Sequence, residues 1–163
     1  MGSKIFQRYD KKVGQNQFRN DINGYLKNYK DGFELEVNGE IAAVCDTVME
    51  ELINSKVPEY NTDNVEAKID RAIKKYKSRH SSDADKKDAV RDLVDVLEFI
   101  RPELKGVLFK QEENELFIIA NKFAIRHHNE SQKTDYGSEF IDWIFFAYLS
   151  TIHLSIKQLK KYK

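Results

Sequence analysis

Apolar residues recur at three- and four-residue steps along most of the chain, the spacing of one face of an α-helix. Between Glu34 and Ser55 the series is Val37, Ile41, Val44, Val48 and Leu52, which predicts a helix over that span. Val65, Ile69, Ala72, Ile73 and Tyr76 predict another over about 62–79, with Thr62 or Asp63 as its N-cap and Glu66 placed to close a capping box. His80-Ser81-Ser82-Asp83 reads as a loop, with Asp83 and Asp85 as N-cap material. Ala89, Leu93, Val96, Leu97 and Ile100 predict a helix over about 84–100, which Pro102 either ends or extends by a turn. Leu116, Ile119, Ala120, Phe123 and His127 predict one over about 112–128. The last runs over about 138–161, on the order of 36 Å at the α-helical rise. Upstream, residues 1–32 are polar and weakly periodic, with Phe18, Ile22, Tyr25 and Leu26 supporting one short helix at about 16–29.

The breakers agree with a helical fold. The chain holds two prolines and seven glycines, and five of those glycines fall within the first 40 residues. A sheet would need more turns than the remainder supplies. At 163 residues, with 40% hydrophobic and 33% charged side chains, the chain has material for one core under a densely charged surface. The expected architecture is all-α: a single-domain bundle of about five helices over 33–163, with a long C-terminal helix, preceded by a poorly defined segment, 1–32.

Charge narrows the function. Lys and Arg number 27 and so do Asp and Glu, leaving no net charge. Bulk attraction to polyanions usually needs a positive excess, so neither a histone-like nor a polybasic membrane-coating role is expected, and a local basic patch stays open. Lys68, Arg71, Lys74, Lys75, Lys77 and Arg79 form a local basic run, which reads as a solvated, charge-balanced helix face, with a nucleic-acid groove as the rival. The one cysteine, Cys45, permits neither an intrachain disulfide nor a cysteine-cluster zinc site, and beside an apolar stripe it reads as a small hydrophobe. The neighbours His127 and His128 diverge on a helix, with no third ligand at a recognisable spacing; no metal and no cofactor is expected. Phe140–Ile156 is too short and too interrupted, by Asp142 and His153, to cross a bilayer. Met1–Asp10 shows no signal peptide, and the expected address is the cytoplasm.

One stretch concentrates chemistry: Phe123-Ala-Ile-Arg126-His127-His128-Asn129-Glu130-Ser131-Gln132-Lys133-Thr134-Asp135-Tyr136. A guanidinium fork suits a phosphate, and imidazole moves protons near neutral pH. The same residues also suit a helix end, where cations complement the dipole and Asn129 makes a C-cap. Trp143, Phe145, Phe146 and Tyr148 are expected to fill the core or a helix–helix interface. Asp142 either favours the start of the last helix or faces Arg126 or a histidine across the connection.

A bundle whose penultimate helix ends in Arg, a polar residue and His, followed by a long final helix, resembles the HEPN superfamily of bacterial abortive-infection, toxin–antitoxin and CRISPR-associated proteins. Ile118–Ile156, with Ile125-Arg-His-His-Asn-Glu at its middle, also resembles a family of uncharacterised bacterial proteins. The resemblance implies a metal-independent endoribonuclease or RNA-binding protein, usually dimeric, with paired Arg/His motifs facing each other. Arg126 matches the motif arginine and His127 the polar residue after it. The family histidine falls five to seven residues after the arginine, where this chain has Ser131, Gln132 and Lys133, so His128 takes its place in this reading. The implied catalytic set is Arg126, His128 and Asn129, with His127, Glu130, Gln132 and Lys133 binding RNA. The rival expectation is a non-catalytic interaction module whose aromatic last helix docks on itself or on a protein partner.

Overall fold

The computed structural model describes residues 10–29, 32–104, 110–123 and 136–161. The chain divides after Val44 into two compact units, Met1–Val44 and Cys45–Lys163.

In the first unit, α1 (Lys11–Leu26) starts where the Asp10 carboxylate accepts from the N–H groups of Lys12 (2.9 Å) and Val13 (3.1 Å). A small antiparallel hairpin follows, β1 (Phe33–Leu35) and β2 (Ile41–Ala43), in the register Phe33↔Ala43, Glu34↔Ala42, Leu35↔Ile41. Asn23 of α1 grips β1 at both backbone groups of Leu35, accepting from its N–H (2.6 Å) and donating to its carbonyl (3.3 Å).

This hairpin corrects the helix expected over Glu34–Ser55. Asn38-Gly39 is a turn: the Gly39 N–H donates to Glu36 O (3.0 Å), and φ there is +90°, a conformation that glycine adopts without steric cost. Asn38 Oδ1 accepts from the Glu40 N–H at 2.8 Å. The period-two run Phe33-Glu34-Leu35-Glu36 leads into that turn, so local turn chemistry overrides the three-and-four spacing. The supposed helix face is accordingly not a buried one: Val37 is 85% and Val48 74% exposed. Only the end of that span is helical, as α2 (Thr47–Asn54), capped by the Asp46 carboxylate on the Val48 N–H.

The second unit is the bundle. Asn61 caps a π-helical turn, Thr62–Glu66, that leads into α3 (Ala67–Lys77). Glu66 reaches back to accept from the N–H groups of Tyr60 and Asn61. This is the expected capping box moved one residue upstream, with the wider π turn taking up the extra length. A second box starts α4 (Asp83–Leu104): Ser82 Oγ accepts from the Asp85 N–H, and the Asp85 carboxylate accepts from the Ser82 N–H. Pro102 lies in the last turn of α4 without ending it, because Leu104 beyond it is buried in the core. α5 (Lys110–Lys122) and α6 (Ser138–Lys161) complete the bundle. Among the described residues no helix is long and apolar enough to cross a membrane.

The core lies among α3, α4 and α6. Ile69 and Ala72 meet Ala89, Leu93, Val96, Leu97 and Ile100, and α6 adds Ile141, Ile144, Phe145, Tyr148, Leu149, Ile152 and Ile156. α5 is fastened to α6 by the Tyr148 hydroxyl, which donates to Leu116 O, and to α4 by Arg101, whose guanidinium lies 4.3 Å from the Phe117 ring centroid.

Candidate functional site

Arg126, His127, His128, Asn129, Glu130, Gln132 and Lys133 lie outside the described residues. The structure describes the residues on either side of them. Phe123 follows α5 and Tyr136 precedes α6. The Tyr136 hydroxyl donates to Phe123 O at 2.6 Å, and the two rings meet edge to face at 5.1 Å. Phe140, in the first turn of α6, adds a third ring, 6.0 Å from Phe123 and 6.5 Å from Tyr136. Lys87 of α4 places its ammonium 4.6 Å from the Tyr136 ring centroid. Phe123 and Tyr136, the described residues on either side of positions 124–135, thus meet in one aromatic clamp beside a cation.

Beside this clamp lies a second polar centre. Asp142 Oδ1 accepts from both Tyr76 Oη and Lys86 Nζ, each at 2.8 Å. Among the described residues, then, Asp142 faces α3 and α4. The Tyr76 ring stacks on Phe145 at 4.0 Å and 9°, and burial, followed by the bond to Asp142, pushes the phenol far above its ordinary pKa. This tyrosine is a fixed donor and does not ionise near neutrality.

Cys45 is half-buried at the edge of the core. Burial first, and the Glu50 carboxylate second, raise its thiol to about 11, so it stays protonated at neutral pH and is not an activated nucleophile. Glu50 Oε1 accepts from the buried Lys77 Nζ (2.9 Å) and from Asn54 Nδ2 (3.2 Å), tying α2 to α3.

His153 is buried on α6, with Nδ1 3.2 Å from Ser55 Oγ. The Ser55 hydroxyl gives its own proton to Leu52 O at 2.8 Å, so Nδ1–H is the donor to Oγ and Nε2 carries the lone pair. The pair is a brace between α6 and the end of α2. It is not a nucleophile and its base, since the serine proton points away from the ring.

The basic run on α3 meets acids on α4. Arg71 makes a fork on Asp92 (3.0 and 2.6 Å), Lys75 bonds Asp88 and Asp92 (2.9 Å to the latter), and Lys68 lies 3.6 Å from Asp95. Arg91 adds a 2.6 Å bond to Asp88, and Lys74 and Arg79 are also engaged. The charge-balanced reading of that run is the one the structure bears out.

Of the aromatic set, Phe145, Phe146 and Tyr148 are buried as expected, whereas Trp143 is 51% exposed, on the outer face of α6. Among the described residues no three of His, Cys, Asp and Glu are grouped to hold a metal ion. The clamp, the Asp142 centre and the His153 brace were not visible in the sequence, because each joins residues 13 to 98 positions apart. A tyrosine just before the last helix was the one available hint of a tether. Comparison with protein-family models, with curated proteins and with solved structures finds no match for this chain.

Proposed function

We propose that the chain is a HEPN-like domain of the bacterial defence or toxin–antitoxin type, which cleaves or binds RNA through its 124–135 segment. The observation that carries this reading is the Tyr136–Phe123 clamp. It joins the described residues on either side of the stretch that holds Arg126, His127, His128 and Asn129 in the sequence, beside Lys87. The other basic array is spent on Asp88, Asp92 and Asp95, which leaves this segment as the concentration of phosphate- and proton-handling groups. In the cleavage reaction the RNA 2′-oxygen attacks the adjacent phosphorus and the 5′-oxygen leaves, giving a 2′,3′-cyclic phosphate and a 5′-hydroxyl. Arg126 would bind the phosphate charge. His128 would take the 2′-hydroxyl proton or supply one to the leaving oxygen, with Asn129 orienting the phosphate.

The test is RNA cleavage by the purified chain in EDTA, comparing wild type with Arg126→Ala and His128→Ala. Cleavage that persists in EDTA, yields cyclic-phosphate ends and disappears in both variants is the expected result, with melting temperatures unchanged. Neither cleavage nor RNA binding by a folded wild-type chain overturns the reading.

A second reading, a helical protein-interaction module, is favoured by a separate observation. The solvent face of α6 carries Phe140, Trp143 and Leu154, each about half exposed, opposite the face that builds the core.

A further inference from the structure

α2 is a short helix with a thin hold on the bundle. Its eight residues fall below the roughly 12–15 that let a helix persist alone, so docking maintains it. Its buried apolar anchor is Ile53, with Leu52 and Cys45 half-buried at the edge of the core, whereas Val48 and Met49 are exposed. The rest of its hold is polar, at two points. Glu50 Oε1 accepts from the buried Lys77 Nζ of α3 at 2.9 Å, and Ser55, the C-cap, lies 3.2 Å from His153 Nδ1 of α6. An element anchored so sparsely opens locally at lower cost than the core.

One of these fastenings is built against acid. His153 is 5% exposed, and its Nε2 is buried without a partner among the described residues. A second proton on the docked ring would sit there with no acceptor. Nor do the surroundings offer a counter-charge. From α2 the ring meets the uncharged Ser55 hydroxyl, and Glu50 of α2 and Lys77 of α3 neutralise each other. Among the described residues no charged group of α4 acts on the ring, and on α6 the positive Lys157 opposes a further proton. Ser55 is itself exposed, so the end of α2 stands between the ring and water.

We propose that α2 is an acid-released strap, which undocks as a unit below neutral pH because undocking gives His153 Nε2 the water it needs to take a proton. Closed, the strap keeps the ring neutral. Open, the ring titrates as an ordinary imidazole, and the proton it binds holds the strap open. Release uncovers Cys45, the one thiol of the chain, which packs beside Glu50 at the core edge just before α2. The device lies within the second unit and requires nothing of the 124–135 segment or of RNA.

Hydrogen exchange of the full chain, resolved by residue and corrected for the intrinsic rate at each pH, tests it. The amides of residues 50–55 are expected to open far more readily than those of α4 and α6. Their opening equilibrium should rise about tenfold between about pH 7 and pH 5. Reaction of Cys45 with a neutral disulfide reagent, normalised to the urea-unfolded chain at the same pH, should accelerate in parallel. His153→Leu should keep the strap closed and abolish the rise. Glu50→Gln, which strands the buried Lys77 ammonium, should increase opening at every pH and leave the rise in place. Residues 50–55 as protected as α4, or an opening in wild type that does not change with pH, overturns the proposal. So does a rise that survives in His153→Leu, or a Cys45 that stays covered while residues 50–55 open.

Discussion

His153 is inside the bundle with one ring nitrogen bonded and the other, Nε2, buried without a partner among the described residues. Protonating Nε2 would put a charge where no acceptor meets it. Burial, and after it the positive charge of Lys157, lower the His153 pKa below the ordinary imidazole value. The folded chain thus holds the ring neutral at a pH where the unfolded chain has begun to protonate it. The stability contributed by the neutral ring is complete above the unfolded value, about 6.5, and is lost as pH falls through it toward the folded pKa. Urea denaturation between about pH 7 and pH 5 should show falling stability, and His153→Leu should remove that part of the slope. The cost of the substitution at pH 7 should not exceed about 1.5 kcal/mol, because the apolar side chain needs no acceptor. Ser55→Ala, in contrast, strands the Nδ1–H and should cost about 1–3 kcal/mol at pH 7. A slope unchanged in His153→Leu would assign the acid sensitivity to another group. In the sequence His153 is only an ionisable residue within an apolar stretch; its partner lies 98 residues earlier, beyond the reach of any local pattern.

At the scale of elements, α3 and α4 are joined by charge as well as by apolar contact. Lys68, Arg71 and Lys75 on one helix meet Asp95, Asp92 and Asp88 on the other, in reverse order, as antiparallel neighbours must. The rungs are not equivalent. Asp92 accepts from two cations and its side chain is nearly covered, whereas Asp95 is more open and 3.6 Å from Lys68. Asp92→Asn should therefore cost about 1–2 kcal/mol, less than a fully buried pair because Arg71 and Lys75 regain water. Asp95→Asn should cost no more than about 0.5 kcal/mol. Denaturation midpoints of the two variants at low and high salt check this ranking, and equal losses would mean that burial of Asp92 adds nothing. Acid acts on the same contact. The hydrogen bond from Lys75 holds the Asp88 carboxyl below its ordinary pKa, so its contribution is present at neutral pH and is lost as pH falls below the ordinary Asp range through the depressed value. The helices themselves were legible, since α3, α4 and α6 each bury one stripe and expose the other, and Ser138–Lys161 falls where the pattern put it. The hairpin was not read, although Asn38-Gly39 signalled it, because five apolar residues happened to stand at helical spacing around that turn.

Across the whole molecule, the balanced composition has a structural counterpart: Lys68, Arg71 and Lys75 of α3 meet Asp95, Asp92 and Asp88 of α4, and Lys86 meets Asp142 of α6. The segment that the sequence singles out, Arg126 to Lys133, lies outside the described residues, and the clamp of Phe123 and Tyr136 with the cation of Lys87 was not legible because these residues come together only through α4, α5 and α6. The two compact units differ in how they are held. In the first, α1 buries none of its residues, and Phe18 and Tyr25 are largely exposed, so backbone bonds to Asn23 and the hairpin ladder hold it. In the second, the core cluster draws every member from the chain beyond Val44, with Cys45 the first residue packed at its edge. Apolar burial is the dominant favourable term in folding, and the core cluster of the described residues lies within the second unit. A fragment comprising residues 45–163 should accordingly fold cooperatively, with a melting temperature within a few degrees of the full chain, about 1 kcal/mol for a domain of this size. Thermal melts followed by far-ultraviolet circular dichroism on both chains measure this directly. A broad, uncooperative transition in the fragment would mean that the N-terminal unit supplies part of the bundle's stability. A matched pair of transitions would assign the fold, the clamp and the α6 face to residues 45–163 alone.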